Sequence, residues 1–353
     1  MELLAEYGIF LLKSITVLMV IVLIILVIAS QNKKSRTDGK LTIKHLNAHF
    51  KQITQQIQAN TLDKHGLKAF LKTLKRQEKQ EKKQAKQQNK QQKKNNGLDQ
   101  DTTKPKAYVL EFKGDIKASQ TEQLREEITA LLSVADKQDE VVIKLDSAGG
   151  MVHGYGLAAA QLKRIREKAI PLTVCIDKVA ASGGYLMAAV ADQIIAAPFA
   201  VIGSIGVVAQ IPNFHRFLKN KEIDVEVLTA GKYKRSLTIF GENTEAGRKK
   251  FIHDLEDTHG LFKDFVSENR AQLDIAQVAD GDIWYGQKAL DKKLVDKIQT
   301  SDDYIVALCQ DREVYQINYQ KKKSLAEKIS HTGASIVNKS FIKMLDKLER
   351  LKY

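Results

Sequence analysis

Twice in this chain an apolar run ends at a pair of glycines and then resumes in helical spacing. The first stretch is "EVVIKLDSAGGMVHGYGLAAA" from Glu140, and the second is "PLTVCIDKVAASGGYLMAA" from Pro171. A run of β-branched and aliphatic residues bounded by a glycine turn reads as a buried strand. Strand, turn and helix in that order, repeated, demand a parallel sheet with helical crossovers. Ligands and catalytic groups in such folds collect at the carboxyl ends of the strands, where both glycine pairs fall.

The surrounding segments fit the same pattern. "AYVLEF" (107–112), "EVVIKLD" (140–146), "PLTVCID" (171–177), "QIIAAP" and "DVEVLTA" (224–230) read as strands. Residues 121–135, 154–168 and 183–191 read as helices, the first with Leu124, Ile128, Leu131 and Leu132 on one face. The fold class is therefore α/β with a largely parallel core. Cys175 and Cys309 are too few for a disulfide framework or a metal-ligand cluster, and Cys175 reads as a small core hydrophobe.

The N-terminal part has a different chemistry. Ile9–Ala29 is an apolar run of bilayer-spanning length, with Lys13 near one end able to snorkel. It exceeds the apolar core of a cleaved signal peptide, and no small-residue cleavage site follows it, so it reads as an uncleaved anchor. Residues 31–106 then hold 20 Lys/Arg against 6 Asp/Glu, which accounts for the whole formal charge of +14. The rest of the chain is balanced. A basic nucleic-acid-binding core is thereby excluded.

Lys33, Lys34, Arg36, Lys40 and Lys44 follow the span, which places the remainder in the cytoplasm by the positive-inside rule. Residues 41–74 show amphipathic helical spacing. Arg76–Lys106, rich in Lys and Gln, has almost nothing to bury and reads as a solvated helix or disordered tether. The apolar region 185–211 contains Asp192, Gln193 and Pro198 and reads as globular core instead of a second span.

Ser182, between two alanines and two glycines, has two readings. It is an N-cap serine in a packing turn, or a nucleophile whose hydroxyl lies near free backbone N–H donors. A nucleophilic serine needs a base. His153 and His215 are candidates. So are the lysines of "TAGKYKRS" (229–236), Lys232 and Lys234, which otherwise read as a solvated basic loop. Asp146, Asp177 and Asp192 read as turn or cap residues, and Trp284 and Tyr285 as core. The tail from Ser335, with Ile336, Phe341, Met344 and Leu348 among lysines, is amphipathic.

"DSAGG", "DKVAASGGY", "IGSIGV" (202–207), "TAGKYKRS" and "GDIWYGQKALDKKLVD" (281–296) occur in this order and at these intervals. Together they resemble the signal peptide peptidase A family. The anchor, the basic tether, "MVHGYGLAA" and "GENTEAGR" are similar to its single-repeat members. The likeness is strong over about residues 107–300, extends to 1–75 in layout and is weak in the tail.

The resemblance implies a Clp/crotonase-like domain of repeated β-β-α units and a Ser/Lys dyad. Ser182 would be the nucleophile and Lys234, not Lys232, the general base. Ser204 would orient the lysine, and the backbone amides of Gly149 and Gly183 would form the oxyanion hole. Peptides would be the substrates, remnant signal peptides and membrane-derived or unfolded segments among them, with no metal or organic cofactor. Single-repeat members assemble into homo-oligomeric rings in which the lysine can come from a neighbour. The family is often periplasmic, against the cytoplasmic reading of the charges.

The implied layout is an anchor (1–30), a membrane-proximal helical segment (31–75), a Lys/Gln-rich linker (76–106), a peptidase domain (107–312) and an amphipathic basic tail (313–353). Two departures stand out. Ala148 replaces the usual proline of the first motif, leaving the turn less rigid, and Lys293 replaces the usual glycine of the last. The competing function class is a non-catalytic membrane scaffold of the same fold. A crotonase-like acyl-CoA enzyme has no use for the Ser/Lys pair.

Overall fold

The computed structural model describes residues 8, 10–18, 39–94 and 104–320, with side chains beyond residue 76 of the second long helix described only in part. Most of the expected anchor, and all of the tail after residue 320, lie outside the described residues. Residues 10–18 are helical with exposed Phe10, Leu11, Leu12, Ile15, Val17 and Leu18. Among the described residues no helix is long and apolar enough to cross a membrane.

Thr42–Asn318 form one compact unit. In chain order its elements are β1 (Lys40–His45), α1 (Leu46–Thr61), α2 (Lys64–Lys94), β2 (Lys106–Gly114), α3 (Thr121–Leu131), β3 (Glu140–Ser147), α4 (Val152–Glu167), β4 (Leu172–Ile176), β5 (Val179–Ala181) and α5 (Gly183–Ala188). Then come β6 (Gln193–Ala196), β7 (Val201–Gly203), α6 (His215–Lys219), α7 (Glu245–Asn269), β8 (Ile283–Tyr285), α8 (Gly286–Asp291), β9 (Lys297–Ile298), α9 (Ser301–Asp311) and β10 (Glu313–Gln320).

The strands form one sheet in the order β1-β10-β2-β3-β4-β6-β9, and β5, β7 and β8 branch from β3. The pairs β10–β2, β2–β3, β3–β4, β4–β6 and β6–β9 are all parallel, as the repeated strand–turn–helix pattern requires. β5 lies parallel to β7, and β8 closes the branch antiparallel to β7. The architecture is a mixed α/β sheet with a parallel core.

Side chains alternate across a strand, and here both faces are buried. Tyr108, Leu110 and Phe112 of β2 with Val141, Ile143 and Leu145 of β3 face a large cluster completed by Leu124 and Ile128 of α3 and Leu162 and Ile165 of α4. Ala107, Val109, Val142 and Cys175 point the other way, into a smaller cluster with Leu46 of α1, Ile305 of α9 and Val314 of β10. At ~25 cal/mol per Å² of apolar surface removed from water, each large side chain so buried contributes roughly 1.5–3 kcal/mol.

The first helix after the expected anchor thus belongs to the core. Asn47 reinforces this: its Nδ2 donates to the Cys309 and Arg312 carbonyls and its Oδ1 accepts from Val314 N–H. The sheet continues past residue 312, since β10 pairs with β2 over Glu313–Gln316.

Some expectations need correcting. The amphipathic helical stretch read from residue 41 begins only at Leu46, because Lys40–His45 is drawn into the sheet as β1. No strand forms over 224–230; Val225, Val227 and Leu228 are solvent-exposed without sheet partners. Val225 and Val227 have the spacing of a strand, but among the described residues no sheet edge receives them. Tyr285 is not core either, being 52% exposed. It sits on edge strand β8, whose alternation turns Ile283 and Tyr285 outward and only Trp284 inward against Gly203. Asp146 is not a turn or cap residue: it lies within β3, in register with Lys113 of β2, and pairs with Lys178, whereas the other two acidic residues behave as expected. Asp177 accepts from the N–H and hydroxyl of Ser301 at the start of α9, and Asp192 accepts from Leu172 N–H and pairs with Arg166.

Candidate active site

β5 delivers Ser182 to the start of α5. The residue holds φ 51° and ψ −122°, a left-handed backbone value that costs a non-glycine residue about 1–2 kcal/mol. Its N–H is fixed to the Gly203 carbonyl at 2.8 Å. An N-cap serine ordinarily has extended φ/ψ and turns its hydroxyl back onto the helix. Ser182 makes no side-chain capping bond. The capping reading fails, and what remains is a half-buried hydroxyl held at a strained strand-to-helix junction.

The first glycine turn packs directly on this junction. A Cβ built at Gly149, where φ is 88°, would come within 2.7 Å of the Gly183 nitrogen and 2.8 Å of Ser182 Cβ. Only glycine allows that approach. The Gly183 N–H opens α5, where helix geometry leaves it without an intrahelical acceptor. The Gly149 N–H donates to Ser147 Oγ at 3.1 Å.

Ser204 occupies the matching place one strand over. Ala181 of β5 is in register with Gly203 of β7, so Ser182 and Ser204 follow paired residues on adjacent parallel strands. Ser204 also has a positive φ, 52°, and its N–H is held by the Asp282 carbonyl at 2.6 Å. The structure therefore brings Ser182, Gly183, Gly149 and Ser204 together.

Lys234 is not joined to them. It lies in a turn closed by Lys234 N–H to the Gly231 carbonyl, with an exposed side chain and no hydrogen bond to Ser182. The neighbouring Tyr233 ring takes the Lys232 and Lys250 ammoniums on its face, 5.2 and 5.7 Å from its centroid. The buried surroundings expected for the base are absent here. Residues 207–244 contain a single short helix, α6, and expose Val208, Phe214, Phe217, Ile223, Val227, Leu228, Tyr233 and Phe240. His153 is exposed in the first turn of α4, and His215 opens α6 with its N–H on Asn213 Oδ1 at 3.3 Å; neither is hydrogen-bonded to Ser182.

Three residues not singled out from sequence stand around the site. Ser147 ends β3 and Tyr155 lies one turn into α4; their hydroxyls are 2.6 Å apart. Burial pushes the Tyr155 phenol above its ordinary range, keeping it neutral. His259 of α7 places Nε2 3.2 Å from the Ile205 carbonyl, beside Ser204. The serine of "DSAGG" and the tyrosine of "MVHGYG" were visible signals; His259 carried none.

The chain matches Peptidase family S49 N-terminal over residues 2–162 and Peptidase family S49 over residues 164–315. It is 50% identical over 329 residues to "Probable protease SohB" of Haemophilus influenzae, covering 93% of this chain and 92% of that one. It is 42% identical over 347 residues to "Putative protease SohB" of Buchnera aphidicola subsp. Baizongia pistaciae, covering 98% and 99%. A solved membrane-bound stomatin-specific protease aligns at 16% identity over 58% of this chain and 84% of its own, with a TM-score of 0.37, too distant to bear on the site. By both family matches and a nearly end-to-end likeness at 50% identity, the chain belongs to peptidase family S49 and is a serine protease.

Proposed function

We propose that this chain is a membrane-anchored endopeptidase on a Clp/crotonase-like fold, with Ser182 as nucleophile and Lys234 as general base. The observation that carries it is the strained Ser182 junction, with a free hydroxyl, packed against the Gly149 turn. Neutral Lys234 takes the Ser182 proton as Oγ attacks the scissile carbonyl carbon. The amides of Gly183 and Gly149 hold the oxyanion that forms. Collapse breaks the C–N bond and Lys234 returns the proton to the leaving amine. Water then hydrolyses the serine ester with the same lysine as base. Ser204, on the strand end beside Ser182, orients the lysine.

The base half is completed by assembly. An amine is neutral only where desolvation or a cationic neighbour favours it, and Lys234 is exposed in the single chain. The apolar segment that carries it needs a cover, and a second copy of this chain is the cover we propose. The substrates are extended, membrane-derived or unfolded peptides such as remnant signal peptides. Ile9–Ala29 anchors the chain in the bacterial inner membrane, with the catalytic unit cytoplasmic by the charge rule. A reporter fused after residue 106 tests that orientation; a periplasmic signal overturns it.

Ser182→Ala and Lys234→Ala should each lower peptide cleavage by at least about 10³-fold in the full chain, with an unchanged melting temperature. Full activity in both variants sinks the dyad. Loss in His215→Ala with retention in Lys234→Ala would move the base to histidine.

A further inference from the structure

Tyr155 touches both glycine turns and no part of the reaction described so far uses it. It is fully buried. Its ring lies against Gly183: a Cβ there would fall 2.4 Å from Tyr155 Cγ. Its hydroxyl bonds Ser147 Oγ at 2.6 Å and the Asp115 carbonyl at 2.8 Å. Gly114, in register with Ser147, makes the room: a Cβ at Gly114 would sit 2.2 Å from Ser147 Oγ and 2.3 Å from Tyr155 Oη.

The direction of every proton in this group is fixed by its ends. A carbonyl only accepts, so the one Tyr155 proton goes to Asp115 O, and Tyr155 Oη must accept from Ser147. Ser147 has then spent its proton and accepts from Gly149 N–H at 3.1 Å, a group that can only donate. The chain runs Gly149 N–H to Ser147 to Tyr155 to Asp115 O, and each hydroxyl donates once and accepts once. Met151 N–H to Ile116 O, at 2.8 Å, clamps the far side of the same turn.

We infer that Tyr155 and Ser147 are positioning residues for the oxyanion site: the hydroxyl pair sets the plane of the Gly149 peptide while the Tyr155 ring seats Gly183. The pair supplies the rigidity that a proline would have given at Ala148. The Gly149 bond to Ser147 Oγ is of ordinary length at 3.1 Å, and an oxyanion can share its proton in a three-centre bond. The inference rests on the Ser182 reading above.

The test uses the full chain in detergent with Tyr155→Phe, Ser147→Ala and the double variant. Three quantities are measured: kcat and KM on a peptide, the inhibition constant of a peptide aldehyde whose adduct carries an oxyanion, and Ser182 labelling by a fluorophosphonate. Outright loss of an oxyanion donor costs roughly 10²–10³ in kcat, so misaiming one should cost about tenfold. Each single variant should lose about tenfold in kcat and in aldehyde affinity, with KM within twofold, and the double should be no worse than either single.

Unchanged kcat and aldehyde affinity in a folded variant overturn the inference, as does a rise in KM alone. Additive losses in the double variant also overturn it, because two independent structural effects would add. If Tyr155→Phe does not fold, Ser147→Ala, which removes one oxygen, decides the matter. A wild-type chain that neither cleaves peptide nor takes the label removes the Ser182 reading itself, and this inference with it.

Discussion

The two halves of the proposed dyad sit in opposite kinds of surroundings. Ser182 lies on a shelf whose backbone is pinned on every side: its own N–H to Gly203, Ser204 N–H to Asp282, and Gly149 wedged against Gly183. Lys234 lies in a segment of 38 residues, 207–244, in which the one helix is five residues long and large apolar side chains face solvent. One chain can therefore store the strain and donor geometry needed at the nucleophile. It does not by itself dry the base. The contrast teaches that the strain and donor geometry of the proposed nucleophile are built by local backbone packing, while the proposed base lies where the single chain provides no such packing.

Mixing is the sharpest way to probe that contrast. If Lys234 serves the serine of a neighbouring copy, combining inactive Ser182→Ala and Lys234→Ala chains should restore roughly a quarter of wild-type cleavage from random assembly. No recovery would place both halves within one chain, and the segment would then have to close over its own shelf. Next in size is the shelf itself. Gly149→Ala adds a methyl at φ 88° within 2.7 Å of a backbone nitrogen. It should cost about 2 kcal/mol in denaturant unfolding and about 10²-fold in kcat, and wild-type values would show that the turn does not constrain the site.

A smaller effect is expected where the segment is most open. Leu228 is 88% exposed, so Leu228→Asp should leave unfolding within about 0.5 kcal/mol of wild type. It should lower cleavage about tenfold by weakening assembly, with a matching shift in sedimentation. A tenfold loss without that shift would mean the leucine contacts substrate instead. The smallest effect belongs to Lys293, which holds φ 62°, a value that favours glycine. Lys293→Gly should stabilise the fold by about 0.5–1 kcal/mol with unaltered kcat.

What could be read from the sequence follows the strength of each local signal. β2, β3, β4 and β6 are apolar runs bounded by turn residues, and the glycine pairs marked the two turns that meet at Ser182. Strands of two or three residues such as β5, β7 and β9 have no period to detect; they exist because their neighbours hold them in register. Residues 224–230 show the opposite error: a short β-branched stretch with Val225 and Val227 two apart looks the same whether it pairs in a sheet or faces outward. The hydroxyl chain from Gly149 to Asp115 was hidden for a third reason. Residue types announce that Ser147 and Tyr155 can hydrogen-bond, but only the parallel register of β2 and β3 decides with whom.

The seating of α1 changes what the basic Lys/Gln stretch can be. Leu46 and Phe50 pack with Val109, Cys175 and Ile305, while the stretch itself begins only at Arg76, after the chain has already entered the core. A spacer between anchor and enzyme must precede the enzyme's first core residue, and this one follows it. The chain is already part of the sheet at β1, whose first residue is Lys40. For protein production, a soluble form cut at residue 104 to discard the basic stretch would also strip a core helix off the sheet. Lengthening or deleting residues 76–100 should leave the distance between enzyme and bilayer untouched.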